Sequence, residues 1–270
     1  MFRKTFKKNR NIIIGAIHLP PLSGYPNALP VETAIKNALK DLYALEKGGA
    51  DAVIFENNYD LPHKIKISRV AFAEMLEVGK RLREKTSLPI GVSVLWNDFE
   101  SAFSLAKSLK LQFIRVPVFV DDVKTAYGKV TAAARKVRSF RKKIRAQNVM
   151  VLADIHVKHA EILSKHSIEE SAQKAIKKGA DAIIITGKWT GQAPDTKDLE
   201  NVRKTVKDFP ILIGSGADAT NVRDLFQYAN GAIVSTSLKK GRGDSQLTNI
   251  KDYDQRIDVS KVRQFKNSLN

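Results

Sequence analysis

A closed (β/α)8 barrel is what this sequence predicts: α/β, eight parallel strands, outer helices, phosphate-binding type. Three observations carry the prediction. Eight short apolar runs rich in β-branched residues alternate with helical patterns. A partial internal repeat relates the second unit to the sixth and the third to the seventh. Most of the apolar runs turn polar only at their carboxyl ends, where such barrels carry their chemistry.

The runs are 12–18, 52–56, 90–95, 113–118, 149–156, 182–186, 211–214 and 232–235. Between them, Val31 to Lys47 places Ile35, Leu39, Leu42 and Leu45 on one helical face and stops at Gly48-Gly49. Helices are likewise expected over 68–85, 98–110, 131–145, 196–207, 220–228 and 259–268. Ser167-Ile168-Glu169-Glu170 is a capping box, so a further helix starts there and runs to Gly179. Strands linked in parallel need crossovers, which these helices supply. The repeat argues for closure over an open sheet: Lys47-Gly48-Gly49-Ala50-Asp51-Ala52 matches Lys177-Lys178-Gly179-Ala180-Asp181-Ala182, and Leu88-Pro89-Ile90 matches Phe209-Pro210-Ile211.

At 270 residues the chain suffices for one large domain, expected over 11–270, with residues 1–10 as a basic tail outside the barrel. There is no cysteine, which excludes disulfides and cysteine-based catalysis or metal binding and fits a reducing compartment. No metal and no cofactor is expected. The apolar run Ile12 to Ile17 is too short to span a bilayer, so a cytoplasmic protein is expected. The net charge is +18. Part of it is local: Arg3, Lys4, Lys7, Lys8 and Arg10 form one acid-free stretch, and Lys129 to Arg145 holds eight basic residues and no acid. Such runs are ordinary solvated faces; read functionally, they favour peripheral contact with an anionic membrane. Nucleic acid is the weaker partner, because no zinc-finger or RNP-type motif is present. A second copy of the chain is also an expected partner.

The strand ends supply the candidate catalytic residues. They are His18, Glu56, Asn97, Arg115 and, from the fifth strand, Asp154, Lys158 and His159. Alternation puts Asp154, His156 and Lys158 on one side of the fifth strand and Val151, Ile155 and Val157 on the other. Asp154 and Lys158 are therefore expected to work as one unit at the barrel mouth, the carboxylate accepting a proton while the amine stabilises developing negative charge. Arg115 has a second reading, as a structural bridge to Glu56. After the seventh strand Gly214-Ser215-Gly216 leads towards a helix near Thr220, and after the eighth comes Ser235-Thr236-Ser237. Glycine-rich backbone and a helix start in these two loops predict a phosphate site on Gly214, Ser215, Gly216, Ser235 and Thr236.

Several motifs in order resemble the BtpA/SgcQ family. They are His18-Leu19-Pro20-Pro21-Leu22, Glu56-Asn57, Val94-Leu95 with Asn97-Asp98, Phe113-Ile114-Arg115-Val116, Ala153-Asp154 with Val157-Lys158-His159-Ala160, Thr186-Gly187 with Thr190-Gly191, and Gly214-Ser215-Gly216. The resemblance covers roughly 11–266. It implies a TIM barrel related to phosphate-binding barrels, with one branch linked to accumulation of photosystem I proteins and another encoded among carbohydrate-metabolism genes. Three positions depart from the family pattern: Trp96 in place of an arginine, Pro117 in place of an asparagine, and a loop Asn57–Pro62 without its usual glycine. Two functions follow as expectations. One is an enzyme binding a small phosphorylated metabolite, a sugar phosphate or nucleoside-like molecule, with isomerase, lyase or nucleosidase-like chemistry. The other is a non-catalytic assembly factor that docks on a membrane complex through its basic surface.

Overall fold

The structure, a computed structural model, describes residues 1–241, 249 and 251–269. In chain order its elements are α1 (Phe2–Phe6), β1 (Ile12–His18), α2 (Val31–Gly48), β2 (Ala52–Glu56), α3 (Arg69–Lys85), β3 (Ile90–Ser93), α4 (Phe99–Ser108), β4 (Phe113–Val116), β5 (Val123–Thr125), β6 (Gly128–Val130), α5 (Ala134–Lys143), β7 (Met150–Ile155), β8 (Ala160–Ile162), α6 (Ile168–Lys177), β9 (Ala182–Ile185), α7 (Thr196–Val206), β10 (Ile211–Ile213), α8 (Val222–Tyr228), β11 (Gly231–Val234) and α9 (Val259–Asn267).

Eight of the strands close into a barrel in the order β1-β2-β3-β4-β7-β9-β10-β11, with β11 pairing back onto β1. Every pair in it is parallel. These are the eight runs expected from the sequence. Alternation along each strand sorts the core into two layers. Ile13, Ile17, Val53, Phe55, Val92, Ile114, Val151, Ala153 and Ile183 face outward into the helices. Ile12, Ile14, Ala52, Ile54, Phe113, Met150, Leu152, Ile184, Leu212 and Ile233 fill the barrel itself. Gly91 belongs to this interior: a Cβ there would meet the Phe113 ring at 2.0 Å, so glycine makes room for the phenyl group that fills the lower barrel.

Three helices have the expected starts, while α5 and α8 begin a few residues later than expected, at Ala134 and Val222. Ser68 caps α3, Asp98 caps α4, and Ser167 with Glu170 forms the capping box of α6.

Two regions differ from expectation. The basic N-terminal stretch is not a tail outside the barrel. It begins as α1, whose Phe2 and Phe6 are buried against the bottom of the barrel; the Phe6 and Phe113 ring centroids are 5.7 Å apart. Spacing of four residues puts both rings on one helical face, where they cover an apolar opening, while Arg3, Lys4, Lys7 and Arg10 stay exposed. The second difference is a three-stranded antiparallel sheet, β6-β5-β8, that the sequence reading missed. Its strands come from the segments after β4 and β7. Val123 and Val130 pack with Trp96, Val118 and Val157 into a small core of their own above the barrel mouth.

Candidate active site

Each barrel strand brings its inward-facing series to a polar residue or a glycine at the carboxyl end. The series end at His18, Glu56, Ser93, Arg115, Asp154, Thr186, Gly214 and Ser235. All except Ser93 and the side-on Asp154 and Thr186 line one cavity of about 750 Å³ at the mouth. Lys158 and His159 line it as well. Among the described residues, seven lysines and arginines line this cavity against three acidic ones, so the space favours an anion.

Arg115 is the hub of the floor. Its Nε and Nη2 donate to the two carboxylate oxygens of Asp154 at 2.9 and 2.8 Å, and its Nη1 donates to Glu56 Oε1 at 3.3 Å. Register makes this geometry: Arg115 pairs with Leu152 on β7, so Asp154 stands two residues further towards the mouth. Burial by itself would favour losing the guanidinium proton, but the Asp154 and Glu56 carboxylates outweigh it and hold the pKa above its usual value. His18 completes the row, with Nε2 at 3.7 Å from Glu56 Oε2. Burial, then the nearby Lys239, Lys158 and Arg115 charges, push this imidazole well below its ordinary pKa, so it is neutral at pH 7.

Lys158 stands apart from this network. Its amine makes no ion pair among the described residues. Burial and the Arg115 charge bring its pKa down from 10.5 to about 8, against the opposing pull of Glu56 and Asp154. The cavity floor thus carries a pre-assembled ion-pair row beside an amine that exchanges its proton near neutral pH.

The expected roles need several corrections. Asp154 is paired with Arg115, not with Lys158; both of its oxygens accept from the guanidinium, and its side chain is fully buried. His156 does not face the mouth. Its backbone turns left-handed at φ 49°, which breaks the alternation just beyond β7, and its Nε2 lies 3.3 Å from the Ser171 hydroxyl on α6. Asn97 clamps the chain: its amide donates to the Val118 carbonyl and its carbonyl accepts from Val118 N–H, both at 2.9 Å. His159 lines the cavity, with Nε2 2.7 Å from the Thr190 hydroxyl and a pKa lowered to about 4 by burial and the Lys158 charge.

The two loops expected to hold phosphate lie on the same cavity, but with different contacts from those expected. The Ser215 hydroxyl accepts from Gly187 N–H and donates to the Gln192 carbonyl, each at 2.9 Å, so it ties β9 and β10 loops together. Gly216 is at φ 69°, and a Cβ would meet Ala193 N at 2.0 Å. It is a glycine because the 192–193 backbone crosses there, rather than because an anion needs the space. The expected helix start contributes nothing: α8 begins at Val222, and Asp218 already accepts from the N–H groups of Thr220 and Asn221. What remains, among the described residues, are the backbone N–H groups of Gly216, Ser235 and Thr236 without protein acceptors and the Ser235 hydroxyl, buried at 7% exposure and without a partner.

Sequence reasoning missed Lys239, Tyr59, His63, Tyr127 and Trp189, all of which line the cavity. Lys239 is fully buried under Tyr59, its amine 3.5 Å from the phenol oxygen, and burial lowers its pKa to about 8. A signal for Tyr127 did exist. Residues 117–133 are too many for a plain strand-to-helix loop, and Gly128 marks a turn inside them. Among the described residues, no cluster of His, Cys, Asp and Glu is arranged to hold a metal ion.

Known proteins agree with this architecture. The BtpA family profile matches residues 9–270. The chain belongs to the BtpA family. Among its relatives, an uncharacterized protein of Methanocaldococcus jannaschii is 35% identical over 98% of this chain and 97% of its own length. The photosystem I biogenesis protein BtpA of Synechocystis is 36% identical over 88% of this chain and 83% of its own. Solved structures similar to this BtpA-family chain include N-(5′-phosphoribosyl)anthranilate isomerase from Pyrococcus furiosus, with TM-score 0.57, 16% identity and 96% and 98% coverage. Another is (S)-3-O-geranylgeranylglyceryl phosphate synthase from Thermoplasma acidophilum in complex with sn-glycerol-1-phosphate, with TM-score 0.60, 14% identity and 99% and 96% coverage. At these identities the likeness is one of fold, the TIM barrel.

Proposed function

We propose that this protein is an enzyme acting on a small phosphorylated metabolite held at the carboxyl-terminal mouth of its barrel. The observation that carries the reading is Lys158: a half-buried side chain whose amine has no ion-pair partner among the described residues, its pKa brought down to about 8, on the wall of a cationic cavity. Keeping an unpaired amine in such a place is costly to folding, and chemistry is the return for it. The phosphate would rest on the backbone N–H groups of Gly216, Ser235 and Thr236 and on the Ser235 hydroxyl. Lys158 in its protonated form would polarise a substrate carbonyl; in its neutral form it would take up a proton or attack the carbonyl as a nucleophile. Neutral His18 is the second proton acceptor. Asp154 and Glu56 position Arg115, whose charge stabilises negative charge developing in the transition state. This set suits reactions through an enolate-like or iminium intermediate, namely isomerisation or lysis. The two structural neighbours are named for phosphorylated compounds, which is consistent with the reading but rests on fold alone.

The test is a panel of sugar phosphates and nucleotides incubated with the protein at pH 8 and followed by NMR. Turnover of a phosphorylated compound but not of its dephosphorylated analogue, abolished in Lys158→Met, is the expected result. Undiminished turnover by Lys158→Met would remove Lys158 from the chemistry.

The assembly-factor reading has its own support in the exposed basic face of α5, which carries Arg135, Lys136, Arg138, Lys142 and Lys143, and in the name of the Synechocystis relative. Among the described residues no helix is long and apolar enough to cross a membrane, so contact would be peripheral. That reading gives no account of Lys158 or of the unpartnered Ser235 hydroxyl, and it ranks second.

A further inference from the structure

The mouth cavity has two chemically different sides. In a ring of eight strands, β10 and β11 stand opposite β3 and β4. The loops after β10 and β11 carry the groups assigned above to phosphate. The opposite side is built from rings. His63 follows β2, Trp96 follows β3, and Tyr127 sits in the β5–β6 turn after β4; His159 and Trp189, after β7 and β9, carry the rings round the cavity as far as the neighbour of β10. His63 stands edge-on to Tyr127, with ring centroids 5.8 Å apart at 88°. His159 and Trp189 form a second pair at 5.4 Å and 58°.

Three features say that this side is unfinished without a ligand. His63 is only 8% exposed, yet its Nδ1 has no hydrogen-bond partner among the described residues, which is costly unless something else supplies one. Trp189 and Tyr127 are 54% and 44% exposed, two large apolar surfaces left open at the same rim. The charge is also one-sided in kind: burial lowers both His63 and His159 to about 4, so these imidazoles are neutral at pH 7 and offer ring edges instead of charge. A cavity of about 750 Å³ is in the range that encloses a whole drug-sized ligand, more than a bare sugar phosphate needs.

We propose that this ring-lined side is a subsite for a flat heteroaromatic group, which makes the substrate a phosphorylated nucleoside-type molecule. Its base sits among His63, Tyr127 and Trp189, its phosphate at Ser235 and Thr236, and its sugar between them, over Lys158 and Arg115. The rings supply stacking faces, and His63 Nδ1 exchanges a hydrogen bond with the edge of the base. The proposal rests on the phosphate reading above and adds the base to it.

Calorimetric titrations with inorganic phosphate, ribose 5-phosphate, adenosine 5′-monophosphate and uridine 5′-monophosphate separate the two layers of the argument. The chain has two tryptophans, Trp96 and Trp189, and both line the cavity, so intrinsic fluorescence locates binding there. The expected result is that a nucleotide binds at least about tenfold more tightly than ribose 5-phosphate and changes the tryptophan emission. Tyr127→Ala then brings the nucleotide affinity down towards that of ribose 5-phosphate. Equal affinity for ribose 5-phosphate and both nucleotides, or no effect of Tyr127→Ala, overturns the aromatic subsite and leaves the phosphate reading standing. Failure of inorganic phosphate and of every phosphorylated compound to bind overturns both.

Discussion

The two ends of this barrel are made by the same strands and could hardly differ more. At the bottom, the inward residues Ile12, Ile14, Ala52, Phe113 and Met150 meet Phe2 and Phe6 of α1 in an apolar layer with no buried charge. Two or four residues further along, the same inward series reach His18, Glu56, Arg115 and Asp154. The lower layer gains stability from every methyl group it hides. The upper one places ionisable groups where burial is costly and compensates for them only in part: Arg115 is matched by two carboxylates, while Lys158 makes no ion pair among the described residues. The contrast sets an end built for folding against an end that carries the proposed chemistry, and it can be broken by substitution.

The largest effect is expected at Arg115. Arg115→Met leaves Glu56 and Asp154 buried without their partner, which should cost about 3–5 kcal/mol in chemical denaturation. A loss under about 1 kcal/mol would mean that the floor of the mouth is far better solvated than its burial indicates. Phe6→Ala probes the other end. Removing a buried ring should cost about 3 kcal/mol while phosphate affinity stays unchanged; a change in affinity would show that the two ends are coupled. Lys158→Met should act in the opposite sense, stabilising the fold by roughly 2 kcal/mol at pH 7. The sign follows from a folded pKa of about 8 below the usual 10.5. Below pH 8 both states hold the proton and the cost of burying it is fully present. Between pH 8 and 10.5 the unfolded state holds more protons, so wild-type stability rises with pH through that window. Denaturation curves across the window should show this rise in the wild type and lack it in Lys158→Met. The smallest effect belongs to neither end. Reversing Arg138 and Lys142 on α5 should weaken binding to anionic vesicles by about 1 kcal/mol per residue at low salt and leave stability and the mouth untouched. Vesicle binding unaffected by the reversals would remove the basic helix from any docking role.

The barrel was legible in the sequence because closure depends on periodicity, and eight alternating runs with a half repeat state that periodicity directly. The placement of several candidate residues was legible for the same reason: parity put His18, Glu56 and Arg115 on the cavity wall, with Asp154 buried behind Arg115. Parity failed where the strand ended. His156 at φ 49° turns into the helix layer, and no alternation rule extends past a left-handed residue. Pairing was legible only in part: the Arg115–Glu56 bridge read from the strand ends is present at 3.3 Å, but the partner of Asp154 was not foreseen. Asp154 and Lys158 are close in sequence, but Arg115, 39 residues away, reaches the carboxylate first through strand register. Glycine misled in its own way, since Gly216 records the close passage of the 192–193 backbone and not a cradle for phosphate. The basic stretch at the start hid two phenylalanines whose burial depends on a barrel bottom that only the folded chain creates. The small sheet above the mouth came from three-residue strands, too short to show a period.

The central claim is that the mouth binds a phosphorylated small molecule through the loops after β10 and β11. Titrating inorganic phosphate into isotope-labelled protein while following backbone amide shifts tests it directly. The account predicts saturable shifts at Gly216, Ser235 and Thr236, with the Lys158 side-chain amine responding as its environment changes. Shifts confined to the basic face of α5 and to the exposed lysines of the N-terminal segment, with these three amides unmoved, would contradict it.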